Sequence, residues 1–488
     1  MRKILIQLIG EQTLPNIFPI LSINPDAVVN IFTDKTRRQH STIMNWCRQY
    51  GEKYDIHPEF IQTAPVKTSL SEIQQGIGRV LQNEMEKLRD EKDTMLILNM
   101  TGGTKSMSAC AISYCMQISN RLKQEGYQPL PVVYLNPENG EIEFITESGQ
   151  KENVLVRAPH DVKLSVAEII DAAGTAQMVS ARKDWQQVYP CARALLKIAN
   201  GGLYFTLNEV NQDNFASYVS SPISAHLRDN DKERRIRAKA ALQELADKTQ
   251  QDETLSRGFA LCGFVARDGD FYFSDDLQKK VAELEILLSA DDLKKHQKYE
   301  MKKAMSRQLG NAANLFVGGW WEVIVAHAYQ LENPQAEVLW SVETATRNDL
   351  DHAVETDIIA TDGHALCCIS CKRGIHAQVT QELEQHCTRT GMLGGVMHQR
   401  IIAVFRRDAE WQLNSLARAL RLTMWSSKKV QAIEEGKKYE EKPLVEKVKD
   451  ESAVQDNKPT RKEPEASLPF TSRLRQAFRL LLTGKTQG

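Results

Sequence analysis

The chain has 488 residues, of which 42% are hydrophobic and 26% charged, and its net charge is −1. This length exceeds one ordinary hydrophobic core, so we expect two to three domains. The near-zero charge excludes a generally basic nucleic-acid-binding protein, and any such contact must come from local patches. No apolar run approaches the roughly 20 residues that span a bilayer, so stable membrane insertion is not expected. Nine cysteines, an odd number, favour reduced thiols and a cytoplasmic location.

The first third of the chain alternates apolar strands with helical patterns. This alternation is typical of a parallel sheet with helices on both faces. We therefore expect an α/β, Rossmann-like domain over residues 1–165. Its strands are predicted at 2–9, 27–32, 94–99 and 131–135, and its helices at 36–51, 68–90 and 105–123.

A glycine-containing loop at 99–105, Asn-Met-Thr-Gly-Gly-Thr-Lys, separates an apolar strand from a helix. Glycines let the backbone approach a ligand, and the helix N-terminus offers free N–H groups to an anion. The pattern predicts a phosphate-binding site at the carboxyl end of a parallel strand. A tight turn with a solvated lysine is an equally compatible alternative. The candidate ligand contacts in this loop are Thr101, Gly102, Gly103, Thr104 and Lys105.

A second polar loop at 10–16 follows the first strand. In a doubly wound sheet this loop lies at the same edge as the glycine-containing loop, because both follow parallel strands. Gln12 and Thr13 are therefore candidate ligand contacts. A plain capping and turn role fits Thr13 and Asn16 equally well.

The rest of the chain divides by composition. Residues 166–290 are predicted to be mainly helical, with one hairpin at 259–273 that turns at Asp268-Gly269. This segment is a helical connector or, alternatively, a winged helix. A third domain, starting with a charged helix, is predicted for 291–425. A flexible charged tail follows at 426–488 and ends in a short amphipathic helix at 471–483.

A second hairpin is predicted inside 352–373, where Asp362-Gly363 is a strong two-residue turn between apolar strands. This turn would place Asp357 opposite Cys368, and Glu355 opposite Ser370. Cys368 and Cys371 would then face opposite sides of the strand, which favours core thiols over a zinc site.

Four polar side chains should share one face of this hairpin, because side chains alternate along a strand. They are Glu355, Asp357, Ser370 and Lys372. Burying two carboxylates and a lysine together costs stability unless they pair or hold a cation. Carboxylates suit magnesium or manganese, so the face is a candidate metal site. The alternative is an exposed strand face with ordinary charge pairs.

Both candidate sites resemble those of one family, the CARF-domain nucleases of type III CRISPR defence, which cyclic oligoadenylates activate. The loop at 99–105 resembles the family's CARF loop, and 11–16 resembles the loop after its first strand. The C-terminal part resembles a PD-(D/E)XK nuclease in Gly318-Gly319-Trp320-Trp321-Glu322, Glu355-Thr356-Asp357 and Ile369-Ser370-Cys371-Lys372. Residues 383–391 also resemble the helix that follows in that family. The resemblance spans roughly 1–160 and 310–405.

The resemblance implies a CARF sensor joined to a C-terminal PD-(D/E)XK restriction-endonuclease-like α/β domain, acting as a homodimer. It implies a cyclic oligoadenylate, with tetraadenylate expected, as activator, and DNA or RNA as substrate. Glu322 and Asp357 would ligate manganese or magnesium, and Lys372 would contact the attacked phosphate. Ser370 departs from the family's usual glutamate, and Glu322 or Glu355 could supply the missing charge.

A function from another class also fits these features. The chain could be a ligand-controlled DNA-binding transcriptional regulator, with a winged helix in its middle segment and an inactive nuclease-like domain. The cluster of Glu355, Asp357 and Lys372 discriminates between the two, because a regulator does not need it.

Overall fold

The N-terminal sheet contains the predicted strands and one further strand at each edge. In this computed structural model its strands are β1 (Arg2–Leu8), β2 (Ala27–Ile31), β3 (Glu59–Ile61), β4 (Thr94–Asn99), β5 (Val132–Leu135) and β6 (Ile142–Ile145). The order is β3-β2-β1-β4-β5-β6. All neighbours are parallel except β5 and β6. The Rossmann-like prediction is therefore confirmed, and the two added strands are short edges with weak sequence signals.

Among the described residues, five α-helices accompany this sheet. They are α1 (Leu14–Ile23), α2 (Arg37–Tyr54), α3 (Leu70–Leu88), α4 (Lys105–Gln124) and α5 (Val166–Ala173). The sequence predicted α2, α3 and α4, but it treated the start of α1 as loop. Every residue of α1 is buried. A helix that is buried on all sides shows no amphipathic period, so the usual signal is missing.

The structure describes residues 2–66, 69–88, 94–124, 130–136, 140–145, 161–200, 232–276, 278–279, 315–373, 379–394, 398–405 and 407–439. The predicted charged helix near 291 and the amphipathic helix at 471–483 lie outside these ranges. No helix within them is both long and apolar enough to cross a membrane. All nine cysteines are free thiols.

The second sheet is mixed, with order β14-β13-β12-β11-β10-β7. Its strands are β7 (Ala176–Arg182), β10 (Glu337–Thr346), β11 (Asp349–Thr361), β12 (Leu366–Lys372), β13 (His398–Val404) and β14 (Thr423–Ser426). Strands β7 to β12 pair antiparallel, and β12 to β14 pair parallel. The predicted boundary at 291 thus leaves out β7, which comes from the segment interpreted as a helical connector.

The remaining α-helices and strands among the described residues lie around the second sheet or in the middle segment. They are α6 (Trp185–Ile198), α7 (Lys232–Gln251), α8 (Glu253–Leu261), the hairpin β8 (Phe264–Arg267) and β9 (Asp270–Phe273), α9 (Trp320–Glu332), α10 (Val379–Gly394), α11 (Arg407–Leu420) and α12 (Ser427–Glu434). The predicted turn at Asp268-Gly269 is confirmed. Their φ angles are 53° and 77°, the left-handed pair that a tight hairpin turn requires.

The flexible tail was predicted to begin at 426, and this is wrong for its first part. Residues 427–434 form α12, and Val430 and Ile433 are buried against the core of the second sheet. Lys429 lies over the Trp425 ring, 4.7 Å from its centroid. The high lysine and glutamate content hid two apolar residues, three positions apart on one helix face.

One hydrophobic core joins the two sheets through α5. It contains Val28 and Ile97 of the first sheet, Ile169 of α5, and Ile359 and Cys368 of the second sheet. Helix α5 begins with a reciprocal capping box between Ser165 and Glu168 and ends at Gly174 with φ of 72°. The capping box and the left-handed Gly174 limit α5 to eight residues. The buried residues of α5 pack in the core that the two sheets share.

Candidate functional site

The glycine-containing loop opens α4 as predicted. Thr104 caps the helix, because the Met107 N–H donates to Thr104 Oγ1 over 3.2 Å. Thr104, Lys105 and Ser106 are exposed. The first turn of α4 therefore presents a hydroxyl, an ammonium and a helix N-terminus to solvent, which suits an anionic ligand.

The two glycines of this loop serve internal packing. A Cβ at Gly102 would lie 2.4 Å from the Leu8 carbonyl oxygen and 2.4 Å from Asn16 Oδ1. A Cβ at Gly103 would lie 2.7 Å from Leu8 Cβ. The sequence interpretation assigned these glycines to ligand approach. The contacts show that they let the loop pack against the end of β1 and the start of α1.

Two predicted ligand contacts already have partners within the protein. Thr13 is buried, and its hydroxyl donates to the Ala172 carbonyl of α5. Thr101 Oγ1 accepts from the Leu135 N–H over 2.8 Å. Of the predicted set, Gln12 is partly exposed and Thr104 and Lys105 are exposed. The accessible polar groups are therefore fewer than the motif suggests.

Buried polar residues connect the carboxyl ends of the central strands, and sequence reasoning missed most of them. Gln7 Nε2 donates to Asn30 Oδ1 over 2.9 Å, and Asn30 Nδ2 lies 3.0 Å from His40 Nδ1. Asn99 Nδ2 donates to the Pro15 carbonyl over 3.0 Å. Their signal was an isolated amide inside an otherwise apolar strand. The network fixes the edge from which both predicted ligand loops emerge.

The register of the second hairpin differs from the prediction by two residues. Thr361 pairs with Leu366 and Ile358 with Ile369, so four residues, 362–365, form the turn. Gly363 has φ of 107°, and Asp362 Oδ1 accepts from the His364 N–H over 3.0 Å. The aspartate thus stabilises a longer turn than the Asp-Gly pair suggests. The proposed pairing of Asp357 with Cys368 is wrong.

The predicted common face survives this correction, because a shift of two residues preserves side-chain alternation. Ser370 now lies beside Asp357, and its hydroxyl is 3.4 Å from Asp357 Oδ2. The Cys371 N–H donates to the same oxygen over 2.6 Å. Burial raises the pKa of Asp357, and the positive charge of Lys372 opposes that rise. Asp357 is thus a carboxylate held at a fixed position between two strands.

Glu322 reaches the same site from the first turn of α9. Its Oε2 is buried and has no hydrogen-bond partner among the described residues. Burial raises its pKa well above the usual range, and the negative charges of Asp357 and Glu355 raise it further. The structure therefore brings together the two acids to which the resemblance assigned a metal.

Lys372 lies between acids from two elements. Its Nζ forms an ion pair with Glu382 Oε2 of α10 at 2.7 Å. Burial alone would lower the pKa of Lys372, but the negative charges of Asp357 and Glu382 more than offset burial and raise the pKa. Lys372 thus keeps its positive charge at neutral pH. Sequence reasoning missed Glu382, which lies one residue before the helical segment that the resemblance covers.

Glu355 occupies the edge of the site. Glu355 is exposed, and its Oε1 accepts a hydrogen bond from Ser341 Oγ over 2.6 Å. The structure does not place it beside Ser370, as the predicted register did. Cys368 and Cys371 contact different cores, Cys368 the core shared by the two sheets and Cys371 the core under α9. They do face opposite sides of the strand, as predicted.

The residues present fit a hard divalent cation with a small number of protein ligands. Among the described residues, no group of three or more histidine, cysteine, aspartate or glutamate side chains is arranged to hold a metal. Magnesium, however, commonly uses one or two carboxylates and completes its shell with water and substrate phosphate. Glu322 and Asp357 supply two such groups, and one of their oxygens is buried without a partner. This donor set suits magnesium or manganese.

Comparison with known proteins gives the family of the N-terminal part and the fold of most of the chain. Among solved structures, the chain is similar to Can2 from Sulfobacillus thermosulfidooxidans in complex with cyclic tetra-adenylate, with TM-score 0.54 and 14% identity over 89% of this chain and 98% of that chain. It is similar to protein VC1899 from Vibrio cholerae, with TM-score 0.52 and 14% identity over 89% and 96%. No curated protein matches the chain.

At 14% identity these likenesses show a shared fold alone. The sequence itself matches the family model of the Card1 CARF domain over residues 4–154. That range contains the parallel sheet, the first-strand loop and the glycine-containing loop at 99–105. The N-terminal domain is therefore similar to the Card1 CARF domain, and the CARF resemblance predicted from the sequence is confirmed.

Proposed function

We propose that this chain is a metal-dependent nuclease of the PD-(D/E)XK type, activated by a cyclic oligoadenylate in type III CRISPR defence. The observation that carries the proposal is the meeting of Glu322, Asp357 and Lys372 at one site, in a chain whose N-terminal domain is a CARF domain. Two carboxylates from different elements can hold a divalent cation and a charged lysine can contact a phosphate, which together suit metal-dependent phosphodiester hydrolysis.

The activator of the CARF domain is, in this proposal, cyclic tetraadenylate. The fold is shared with Can2, whose structure holds that ligand. The exposed hydroxyl of Thr104 and ammonium of Lys105, at the start of α4, would contact its phosphates. A ring with two-fold symmetry fits a homodimer in which two copies of the loop face each other. Titration should then give one ring per two chains.

The chemistry at the second site assigns a separate task to each group. Glu322 and Asp357 would hold manganese or magnesium, which lowers the pKa of a bound water and neutralises phosphate charge. Lys372 binds a non-bridging phosphate oxygen and stabilises the charge that develops there. The Cys371 N–H keeps Asp357 oriented. The substrate is DNA or RNA.

The proposal is tested with purified chain, supercoiled plasmid, labelled single-stranded RNA, manganese and cyclic tetraadenylate. We expect cleavage of at least one substrate only when the metal and the ring are both present. Asp357→Asn should abolish cleavage while calorimetry shows unchanged binding of the ring. Cleavage by Asp357→Asn at the wild-type rate would contradict the proposal. Ligand-dependent DNA binding without cleavage would favour the regulator alternative.

A further inference from the structure

Lys372 has a carboxylate partner from outside its own hairpin. Lys372 Nζ and Glu382 Oε2 are 2.7 Å apart, and the lysine side chain is only 16% exposed. Glu382 lies in the first turn of α10. The ion pair therefore links the strand that carries the proposed catalytic lysine to a helix packed on the same sheet face.

Among the described residues, no carboxylate of the hairpin forms an ion pair with Lys372, although the charge of Asp357 also stabilises the ammonium. Two residues before the lysine the chain has Ser370, and its hydroxyl is directed to Asp357, 3.4 Å away. A neutral hydroxyl cannot hold an ammonium group as a carboxylate does. Glu355, the other acid of this face, accepts from Ser341 instead. The position two residues before Lys372 thus carries no charge.

Apolar packing against the second sheet holds the first turn of α10, which carries Glu382, in place. Val379 and Leu383, the residues on either side of Glu382 along the buried face, pack in a core with Ile402 and Val404 of β13. β13 is the parallel neighbour of β12, and its Val404 pairs with Lys372 itself. Two buried apolar residues therefore hold the first turn of α10 against the strand next to the one that carries the lysine.

We propose that Glu382 is the positioning residue for Lys372 and replaces the carboxylate that Ser370 lacks. This inference rests on the proposed nuclease function. Glu382 holds the ammonium in the direction of the scissile phosphate, and it acts through the lysine. An ion pair whose acid is 38% exposed adds little to stability, so its main effect is on orientation.

The first test is Glu382→Gln, which keeps the shape and removes the charge. We expect kcat for ring-stimulated cleavage to fall at least tenfold, with KM for nucleic acid changed less than threefold and the melting temperature unchanged. The matched control is Glu384→Gln, on an exposed position of the same helix, which should keep wild-type kcat. Wild-type kcat for Glu382→Gln would overturn the inference.

The second test is rescue. Ser370→Glu introduced into Glu382→Gln restores a carboxylate near Lys372, so kcat should recover to within about threefold of wild type. A purely structural role for Glu382 predicts no recovery, and that result would also overturn the inference. If the wild-type chain does not cleave nucleic acid in the presence of manganese and cyclic tetraadenylate, both the proposed function and this inference are contradicted. If the wild-type chain is active and Glu382→Gln has the same kcat, only the inference about Glu382 is contradicted.

Discussion

Glu168 shows how one side chain can stay charged inside a protein. Its side chain is almost completely buried, and it accepts hydrogen bonds from Tyr54 Oη over 2.8 Å and from the Ser165 N–H over 2.7 Å. Lys53 Nζ forms an ion pair with it at 2.5 Å. Burial would raise the pKa of Glu168, but these hydrogen bonds outweigh it and lower the pKa. The carboxylate ties α2 to α5.

We predict that Glu168→Gln lowers the free energy of unfolding at pH 7 by about 2 kcal/mol, the scale of a hydrogen bond to a charged group. Because the pKa of Glu168 is lowered by folding, its contribution is complete above the ordinary value of 4.5 and is lost as pH falls through the folded pKa. Urea unfolding at several pH values should therefore show a constant gap from wild type between pH 6 and 8.

The difference in unfolding free energy between wild type and Glu168→Gln should narrow below pH 4.5. A difference that widens as the pH falls would contradict the lowered pKa of Glu168. Glu253→Gln is the control, because Glu253 pairs with Arg257 on the surface at 79% exposure of both side chains. It should change the unfolding free energy by less than about 0.5 kcal/mol at any pH.

Lys105 is the residue of the CARF loop whose role is most directly measurable. It is exposed at the N-terminus of α4. Lys105→Ala should weaken binding of cyclic tetraadenylate by roughly 1.5–3 kcal/mol, the value of a charge-assisted hydrogen bond. Calorimetry measures this directly, and Lys248→Ala, an exposed lysine of α7, is the control. Equal affinity of Lys105→Ala and wild type would remove Lys105 from the site.

At the scale of elements, α5 contacts both functional regions within a few residues. The Thr13 hydroxyl donates to the Ala172 carbonyl, and Arg38 Nη2 donates to the Gly174 carbonyl over 3.0 Å. Thr175, which follows Gly174 directly, donates a hydrogen bond from Oγ1 to the Met392 carbonyl of α10 over 2.5 Å. The first-strand loop of the CARF domain is thus linked through α5 to the helix that carries Glu382.

We predict that Thr175→Val, which removes one hydroxyl at an exposed position, leaves ring affinity unchanged and lowers ring-stimulated cleavage several-fold. The physical reason is that α10 loses its hydrogen bond to the end of α5, so a shift there is transmitted less well. Thr388→Val is the control, since that hydroxyl bonds only the Glu384 carbonyl of its own helix among the contacts described. Equal stimulation in Thr175→Val and wild type would refute the link.

The hairpin β11–β12 shows what could be predicted from sequence and why the rest could not. The alternation of side chains along each strand predicted that Asp357, Ser370 and Lys372 share one face. That prediction holds because a two-residue error in register leaves every side chain on the same face of the sheet. The register itself depended on whether Asp362 began a two-residue or a four-residue turn, which local hydrogen bonds decide. Glu382 was beyond prediction, because only tertiary packing brings α10 to the lysine.

For the molecule as a whole, the sequence predicted the Rossmann-like N-terminal sheet and missed how this sheet joins the second one. The parallel sheet followed from alternating strands and helices, and the glycine-containing loop was located correctly. Strand β7 escaped prediction because it is an edge strand with an irregular burial pattern. Periodicity reports which face of an element is buried, but it does not report which sheet buries it.

The core shared through α5 makes the two halves dependent on each other for folding. A fragment ending at residue 160 lacks α5, so the apolar side chains of Leu14, Ile17 and Trp46 that belong to this core lose their cover. We predict that this fragment is aggregation-prone, whereas a fragment ending at 174 is more soluble. Light scattering and calorimetric melting distinguish the two, and a monomeric, sharply melting 1–160 fragment would contradict the prediction.

The same core has a consequence for how the protein responds to its ligand. Because one continuous apolar core includes residues of both sheets, heating the chain should disrupt both together, in one cooperative unit. A ligand that binds the folded sensor then stabilises the distant sheet by the same free energy, about 2.7 kcal/mol when its concentration is 100 times Kd. Occupancy of the CARF domain would thus protect the half that contains the second sheet from proteolysis, without a contact between that half and the ring.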